Sequence, residues 1–233
     1  MCIRDRIDID AELIGKSGLI LSKRRNLKNS DLFKNGFFEV QDYSSQQVSD
    51  FLEVEAGMTV IDACCGAGGK TLHIADLIKN KGQLIALDVN QNKQRELTKR
   101  AKRAGINVRI ETIESPDFIK KYHQKADRLL LDAPCSGLGV LRRNPDAKWK
   151  LTPDFIKKIQ NIQREILLNY SEMVKVGGKM VYATCSILPS ENEAQVQWFL
   201  EKNNHFKLKK EKSILPQDEG FDGFYMALME RYS

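Results

Sequence analysis

The sequence predicts an α/β protein: a doubly wound, mostly parallel sheet with helices on both faces. Three observations carry that prediction. From Met58 onward, short apolar runs alternate with helical stretches, the pattern of strand–helix–strand crossover units. Three of these runs end in aspartate, at Asp62, Asp88 and Asp132. A glycine-rich turn comes after the first and opens a helix; in open α/β sheets, ligands bind beyond the carboxyl ends of the strands.

Residues 1–6 differ in character from the rest of the chain and are set aside as non-native. Residues 7–35 are polar and basic, with Lys23, Arg24, Arg25, Lys28 and Lys34. They read either as a solvated basic surface or as an edge facing a polyanion. Strands are predicted at 58–62, 84–88, 107–111, 128–132, 179–183, 205–209 and 223–231. Helices are predicted at 70–79, at 90–104 and from Pro153 to about Val174, with proline at a permitted first-turn position. Ser190 and Glu193 have the spacing of a capping box for a further helix.

Composition narrows the function. The 233 residues, 42% hydrophobic, suit one globular domain with a short extension. No apolar run approaches the roughly 20 residues a membrane helix needs, and no secretory signal is evident, so the expected location is the cytoplasm. A net charge of +6 and a pI near 9.0 favour a polyanionic partner. The five cysteines (Cys2, Cys64, Cys65, Cys135, Cys185) form neither a disulfide framework nor a CxxC zinc pair. His73, His123 and His205 lack ligand spacing, so no metal is expected.

Asp62-Ala-Cys-Cys-Gly-Ala-Gly-Gly-Lys-Thr71 allows three nucleotide-type readings. A P-loop requires glycine where Cys64 stands. A dinucleotide turn would use Gly66 and Gly68 but meets Thr71 at its third glycine, although Asp88 is placed for a ribose. S-adenosylmethionine, held by a glycine turn and an acid, is the third. The turn alone leaves the last two open.

Cys135 lies in a turn after the strand ending at Asp132, and Cys185 in a turn after the strand ending at Ala183. Both sit among Ser, Thr, Gly and Pro, where a core thiol would be flanked by apolar residues. Asp132-Ala-Pro-Cys-Ser-Gly-Leu-Gly139, then Thr184-Cys-Ser186 with Glu191-Asn192, resembles the RNA cytosine-5 methyltransferase family. That family includes enzymes acting on bacterial small-subunit ribosomal RNA and eukaryotic nucleolar and tRNA enzymes. Val40–Gln46, the Asp62–Thr71 turn, Arg142–Trp149 and Asp222–Met226 are similar to further family segments. The resemblance runs from about Leu32 to Arg231.

The resemblance implies a Rossmann-like, seven-stranded S-adenosylmethionine-dependent methyltransferase fold. It implies methylation of cytosine C5 in RNA, with ribosomal RNA preferred over tRNA; a catalytically impaired RNA-binding or assembly factor is the alternative of another class. It implies Cys185 as nucleophile, Cys135 as the aid to product release, Asp132 against the cytosine edge or the cofactor's methionine part, and Lys70 ordering the site. The cofactor would lie against Cys64, Cys65, Gly66, Ala67, Gly68, Gly69 and Lys70, with Asp88 on the ribose. Thr112 stands where the family usually has an acid near the adenine. The chemistry suits these residue types: a thiolate adding at C6 turns C5 into a nucleophile, and charge building at N3 and O2 needs a donor. DNA cytosine-5 enzymes use the Pro-Cys cysteine and an ENV segment; this chain has the second cysteine and lacks ENV. Arg142, Arg143, Lys148 and Trp149 read as an RNA grip, phosphate by cation and base by stacking, or as a surface loop anchored by its tryptophan. The expected organisation is a remnant of an N-terminal RNA-binding region or linker at 1–35 and a catalytic domain at 36–233, acting as a monomer on RNA without membrane or metal.

Overall fold

A computed structural model of the chain describes residues 11–23 and 25–233. Cys2, residues 1–6 and Arg24 therefore lie outside the described residues. β1 (Ala11–Ile14) and β2 (Gly18–Leu21) form an antiparallel hairpin turned by Gly15 at φ +60°. The short helices α1 (Asp31–Lys34) and α2 (Tyr43–Phe51) come next. Ser30 caps α1 through Phe33 N–H and Asp42 caps α2 through Ser44 N–H.

The main sheet comprises β3 (Thr59–Asp62), β4 (Gln83–Asp88), β5 (Arg109–Thr112), β6 (Ala126–Asp132), β7 (Val174–Thr184), β8 (Phe206–Ile214) and β9 (Phe224–Arg231). Its order is β5-β4-β3-β6-β7-β9-β8. The first five in that order are parallel; β9 inserts antiparallel between β7 and β8. The chain order reverses between β3 and β6, the switch point where α/β sheets place ligands. The connections include α3 (Gly69–Leu77), α4 (Gln91–Ala104), α5 (Ala147–Lys150), α6 (Pro153–Ser171), α7 (Glu193–Lys202) and α8 (Pro216–Glu219).

Strand alternation supplies a core on each face. Ile61, Leu129, Leu131, Met180 and Tyr182 pack with Leu167 of α6 and Phe199 of α7. Val60, Leu130, Val181 and Ala183 pack on the other face with Val48 and Leu52 of the α2 region and Ile74 of α3. On α6, Ile159, Gln163, Leu167 and Ser171 are buried at four-residue spacing, one helical stripe against the sheet. Asn90 caps α4 and Thr152 caps α6.

Three expectations are corrected. β7 begins at Val174, not Lys179, because its pairing with β6 absorbs a register shift between Ala126 and Arg128. β8 continues to Ile214; its lysines suit an edge strand, which charge protects from further pairing. The Ser190–Glu193 capping box does not form. Pro189–Glu191 makes a 3₁₀ turn, α7 starts at Glu193 without a side-chain cap, and Glu193 instead accepts from Ser213 Oγ at 3.0 Å.

Phe199 is fully buried, its ring 5.4 Å from that of Phe206. Phe199→Ala should lower stability by about 3–5 kcal/mol, read as a reduced urea midpoint with an unchanged m-value.

Candidate active site

The cleft is built from strand ends. After β3 the chain is stitched to its neighbours: Ala63 N–H donates to Leu130 O and Cys65 N–H to Leu87 O, each at 3.0 Å. Asp88, ending β4, accepts Gly66 N–H on one oxygen and Asn90 N–H on the other, both at 2.8 Å. Gly68 adopts φ +87°, and a Cβ there would lie 2.2 Å from Leu97 Cδ1, so the turn closes only on glycine. α3 then starts without a side-chain cap, leaving its first N–H groups for a ligand. The result is a cleft of about 770 Å³ bounded by the turn from Asp62 to Lys70, Asp88, Glu114, Ser115, Asp132 and Tyr170. A Cβ at Gly66 would meet only Lys93 Cδ, at 3.9 Å, so the turn is open above this residue. Each Asp88 oxygen keeps a second acceptor site. A nucleoside with a charged amino-acid arm fits this donor and acceptor set.

Charge at the cleft floor is ordered by burial. Asp62 is 1% exposed and accepts from Thr71 Oγ1 at 2.6 Å. Burial, reinforced by Asp132 and opposed by the Thr71 hydrogen bond, pushes its carboxyl up to about 7. Lys70 reaches over to Asp132 at 2.7 Å and lies 4.9 Å from the centre of the Phe224 ring.

The two cysteine turns meet beside this floor. Cys135 and Cys185, each half-buried, have their sulfurs 3.4 Å apart. Parallel pairing of β6 and β7 brings the turns together, and Ala133 N–H donates to Ala183 O at 2.9 Å. Gly139 N–H donates to Cys185 O at 2.9 Å, and Gly223 N–H to Gly139 O at 2.8 Å. A Cβ on Gly139 would lie 2.2 Å from Gly223 O, so this approach demands glycine. The thiols are driven apart in acidity. A hydrogen bond from Cys135 lowers the Cys185 pKa, with Lys70 helping and burial and Asp132 opposing. Cys135 is raised well above the ordinary thiol value by its bond to Cys185, by burial and by the charges of Cys185 and Glu191.

The turns are held from behind by side chains that sequence reasoning leaves without a role. Glu191 Oε1 accepts Ser136 N–H at 2.8 Å and Gln163 Nε2 at 3.1 Å. Its Oε2 accepts the hydroxyls of Ser136 and Ser186, both at 2.5 Å. Asn192 accepts from Thr184 Oγ1 at 2.5 Å and donates to Ser186 O at 3.0 Å. The only sequence signal is the Glu191-Asn192 pair six residues beyond Cys185.

Other predicted site residues separate. Cys64 and Cys65 sit in the turn, where burial raises both thiols; Cys65 packs among Leu72, Ala86 and Leu97. Thr112 is not on the cleft wall: its hydroxyl donates to Gln94 Oε1 at 2.6 Å, and the wall beyond β5 is formed by Ile113–Pro116. The acid there is Glu114. Burial pushes the Glu111 carboxyl up, but hydrogen bonds from Lys121, Tyr122 and Arg109 together outweigh it and hold it down at about 2. Arg142 donates to Gly220 O at 2.6 Å and Arg143 pairs with buried Asp222, so both brace the segment before β9. Lys148 stacks over Trp149 at 4.8 Å, and Trp149 is 80% exposed. His123 faces Glu172, His205 faces Ser233 and His73 faces Ser17. Among the described residues no group of three His, Cys, Asp or Glu side chains could hold a metal, and no helix is long and apolar enough to cross a membrane.

The model of the family described as 16S rRNA methyltransferase RsmB/F matches residues 49–230. The chain belongs to this family. Among its relatives, the probable ribosomal RNA small subunit methyltransferase B of Bacillus subtilis is 35% identical over 88% of this chain and 50% of its own length. Ribosomal RNA small subunit methyltransferase B of Vibrio cholerae is 36% identical over 85% of this chain and 47% of its own. The chain thus spans about half the length of the curated relatives it matches. Among solved structures, NSun6 from Pyrococcus horikoshii with SFG superposes with TM-score 0.82 at 29% identity, over 90% of this chain and 57% of that one. A methyltransferase homolog protein from Pyrococcus horikoshii gives 0.85 at 26%, over 98% and 80%. The fold is that of the Rossmann-like, S-adenosylmethionine-dependent methyltransferases, as expected.

The raised Asp62 pKa sets a pH dependence. An unfolded aspartate titrates near about 3.9, so Asp62 contributes stability that is fully present below that pH and is lost as pH rises through about 7. Asp62→Asn should therefore gain on the wild type between about pH 4 and 8, by at most ~4 kcal/mol. Urea unfolding across a pH series measures this; a constant difference would refute it.

Proposed function

We propose that this chain catalyses S-adenosylmethionine-dependent methylation of cytosine C5 in ribosomal RNA, through a covalent bond between Cys185 and C6. The observation that carries the reading is the contact between two thiols of opposite acidity, beside a nucleoside-sized cleft. The names of the Bacillus and Vibrio relatives support the RNA class, and the Pyrococcus structure with SFG supports a ligand in this fold.

The backbone from Cys64 to Lys70 would hold the methionine end of the cofactor, Asp88 its ribose, and Glu114, in place of Thr112, the far wall. The cofactor supplies an electrophilic methyl group on a sulfonium. Cys185, the more acidic thiol, attacks C6 as thiolate and makes C5 nucleophilic. Cys135 keeps its proton and donates it as a hydrogen bond to the Cys185 sulfur. That bond stabilises the thiolate before attack. Once C5 carries the methyl group, a solvent base takes the C5 proton, the C5–C6 double bond re-forms, and the C6–S electron pair returns to Cys185 as a thiolate that the same hydrogen bond stabilises. Asp132, tied to Lys70 yet partly exposed, would face the cytosine amine while the Lys70 ammonium offsets negative charge developing on the ring. A target base must leave its stack to reach this depth. Exposed Trp149 with Lys148 offers a stacking and phosphate contact outside the cleft, while Arg142 and Arg143 shape the rim.

Cys185→Ala should lower transfer of labelled methyl to RNA by at least ~10⁴-fold; retained activity would end the assignment. Cys135→Ala should instead accumulate a protein–RNA adduct that survives denaturing electrophoresis. If no shifted band forms while methyl transfer continues, Cys135 has no part in release.

A further inference from the structure

Glu191 is fully buried, and no ion pair to it is found among the described residues. A buried carboxylate without a cation is costly unless donors surround it, and here four do. Those donors are not scattered. Ser136 directly follows Cys135, and Ser186 directly follows Cys185. Gln163, the third partner, also donates to Pro134 O at 3.0 Å, the carbonyl just before Cys135. The two seryl hydroxyls also face one another at 3.1 Å. One carboxylate thus grips the residues after both cysteines, and Tyr182 OH fixes its own backbone carbonyl at 2.7 Å.

We propose that Glu191 is the positioning residue of the cysteine pair: its carboxylate locks the two turns at sulfur contact and its charge keeps the shared proton on Cys135. Glu191 is sealed from the cleft, so it acts through the thiols and not on substrate. Its negative charge bears on Cys135, whereas Cys185 faces the opposed charges of Lys70 and Asp132. An uncharged tether would hold the distance equally well but would remove the one fixed negative charge that opposes a thiolate at Cys135 and not at Cys185. That difference explains why a carboxylate, with its desolvation cost, occupies a position an amide could fill.

The test separates tether from charge. In Glu191→Gln, the amide oxygen can keep Ser136 N–H and Gln163, and the amide NH₂ can donate to both seryl hydroxyls, which accept as readily as they donate. Iodoacetamide labelling of the full chain, resolved by peptide mass spectrometry, reads the thiolate at each cysteine. In the wild type Cys185 should label at least ~10-fold faster than Cys135. In Glu191→Gln that ratio should shrink at least about fivefold, with S-adenosylmethionine affinity unchanged, because Glu191 does not border the cleft; Glu191→Asp, which keeps the charge, should restore most of the ratio. A folded Glu191→Gln protein with the wild-type ratio would overturn the charge role. Should that variant fail to fold, Ser136→Ala removes one tether without altering charge. It should raise Cys135 labelling and slow single-turnover methyl transfer about 10-fold; wild-type values of both would overturn the tether. The inference rests on the proposed chemistry, but labelling needs no RNA. Absent methyl transfer with an intact labelling contrast would sink the proposed function and leave Glu191's role standing.

Discussion

Two sulfurs held 3.4 Å apart at the ends of adjacent parallel strands set the constraint on which the rest of this structure depends. β6 and β7 must be in register to deliver Cys135 and Cys185 to the same level, and the buried core residues of both strands enforce that register. Above the strands the turns would be free to separate. They are held by Gly139, whose missing Cβ lets Gly223 approach, and by the buried Glu191 and Asn192 side chains. Core, glycine contact and polar tether therefore act on one distance.

Electrostatics then gives the paired thiols different characters. A thiol pair at this separation shares a hydrogen bond, so removing one proton is favoured and removing the second is opposed. The hydrogen bond between them weighs most in which sulfur loses the first, lowering Cys185 and raising Cys135. At Cys185, Lys70 favours the thiolate against burial and Asp132; at Cys135, burial and the charge of nearby Glu191 favour the proton. Asp62, buried beneath and pushed up to about 7, adds less negative charge to the floor than a solvated aspartate would. Nucleoside cleft and thiol pair share the residues Lys70 and Asp132, which ties ligand binding to thiol chemistry.

Much of this is legible in the sequence, for a physical reason. Short apolar runs ending in aspartate are local signals, and they locate β3, β4 and β6, buried along most of their length, and hence the mouth of the sheet. The glycine turn is legible because Gly68 and its neighbours are required by local backbone shape. What escapes depends on packing between distant segments. The hairpin Ala11–Leu21 has strands of four residues, too short to show periodicity. Ser190 and Glu193 have capping spacing, yet the turn at Pro189 and the demand for Glu191 inside the core move the helix start. Thr112 stands in line for a cofactor contact, but Gln94 claims its hydroxyl and Glu114 takes the wall. Glu191 joins residues 55 and 28 positions away, Ser136 and Gln163, a relation no window along the chain contains.

Whether Cys185 and not Cys135 bonds to the base is tested most directly with RNA carrying 5-fluorocytosine at the target position. Fluorine at C5 cannot leave as a proton does, so the thioether accumulates after methyl transfer. Digestion and mass spectrometry then identify the protein residue bearing the nucleotide. The nucleotide should appear on the peptide containing Cys185. A nucleotide on Cys135, or none on either cysteine while unmodified RNA is still methylated, would contradict the assignment.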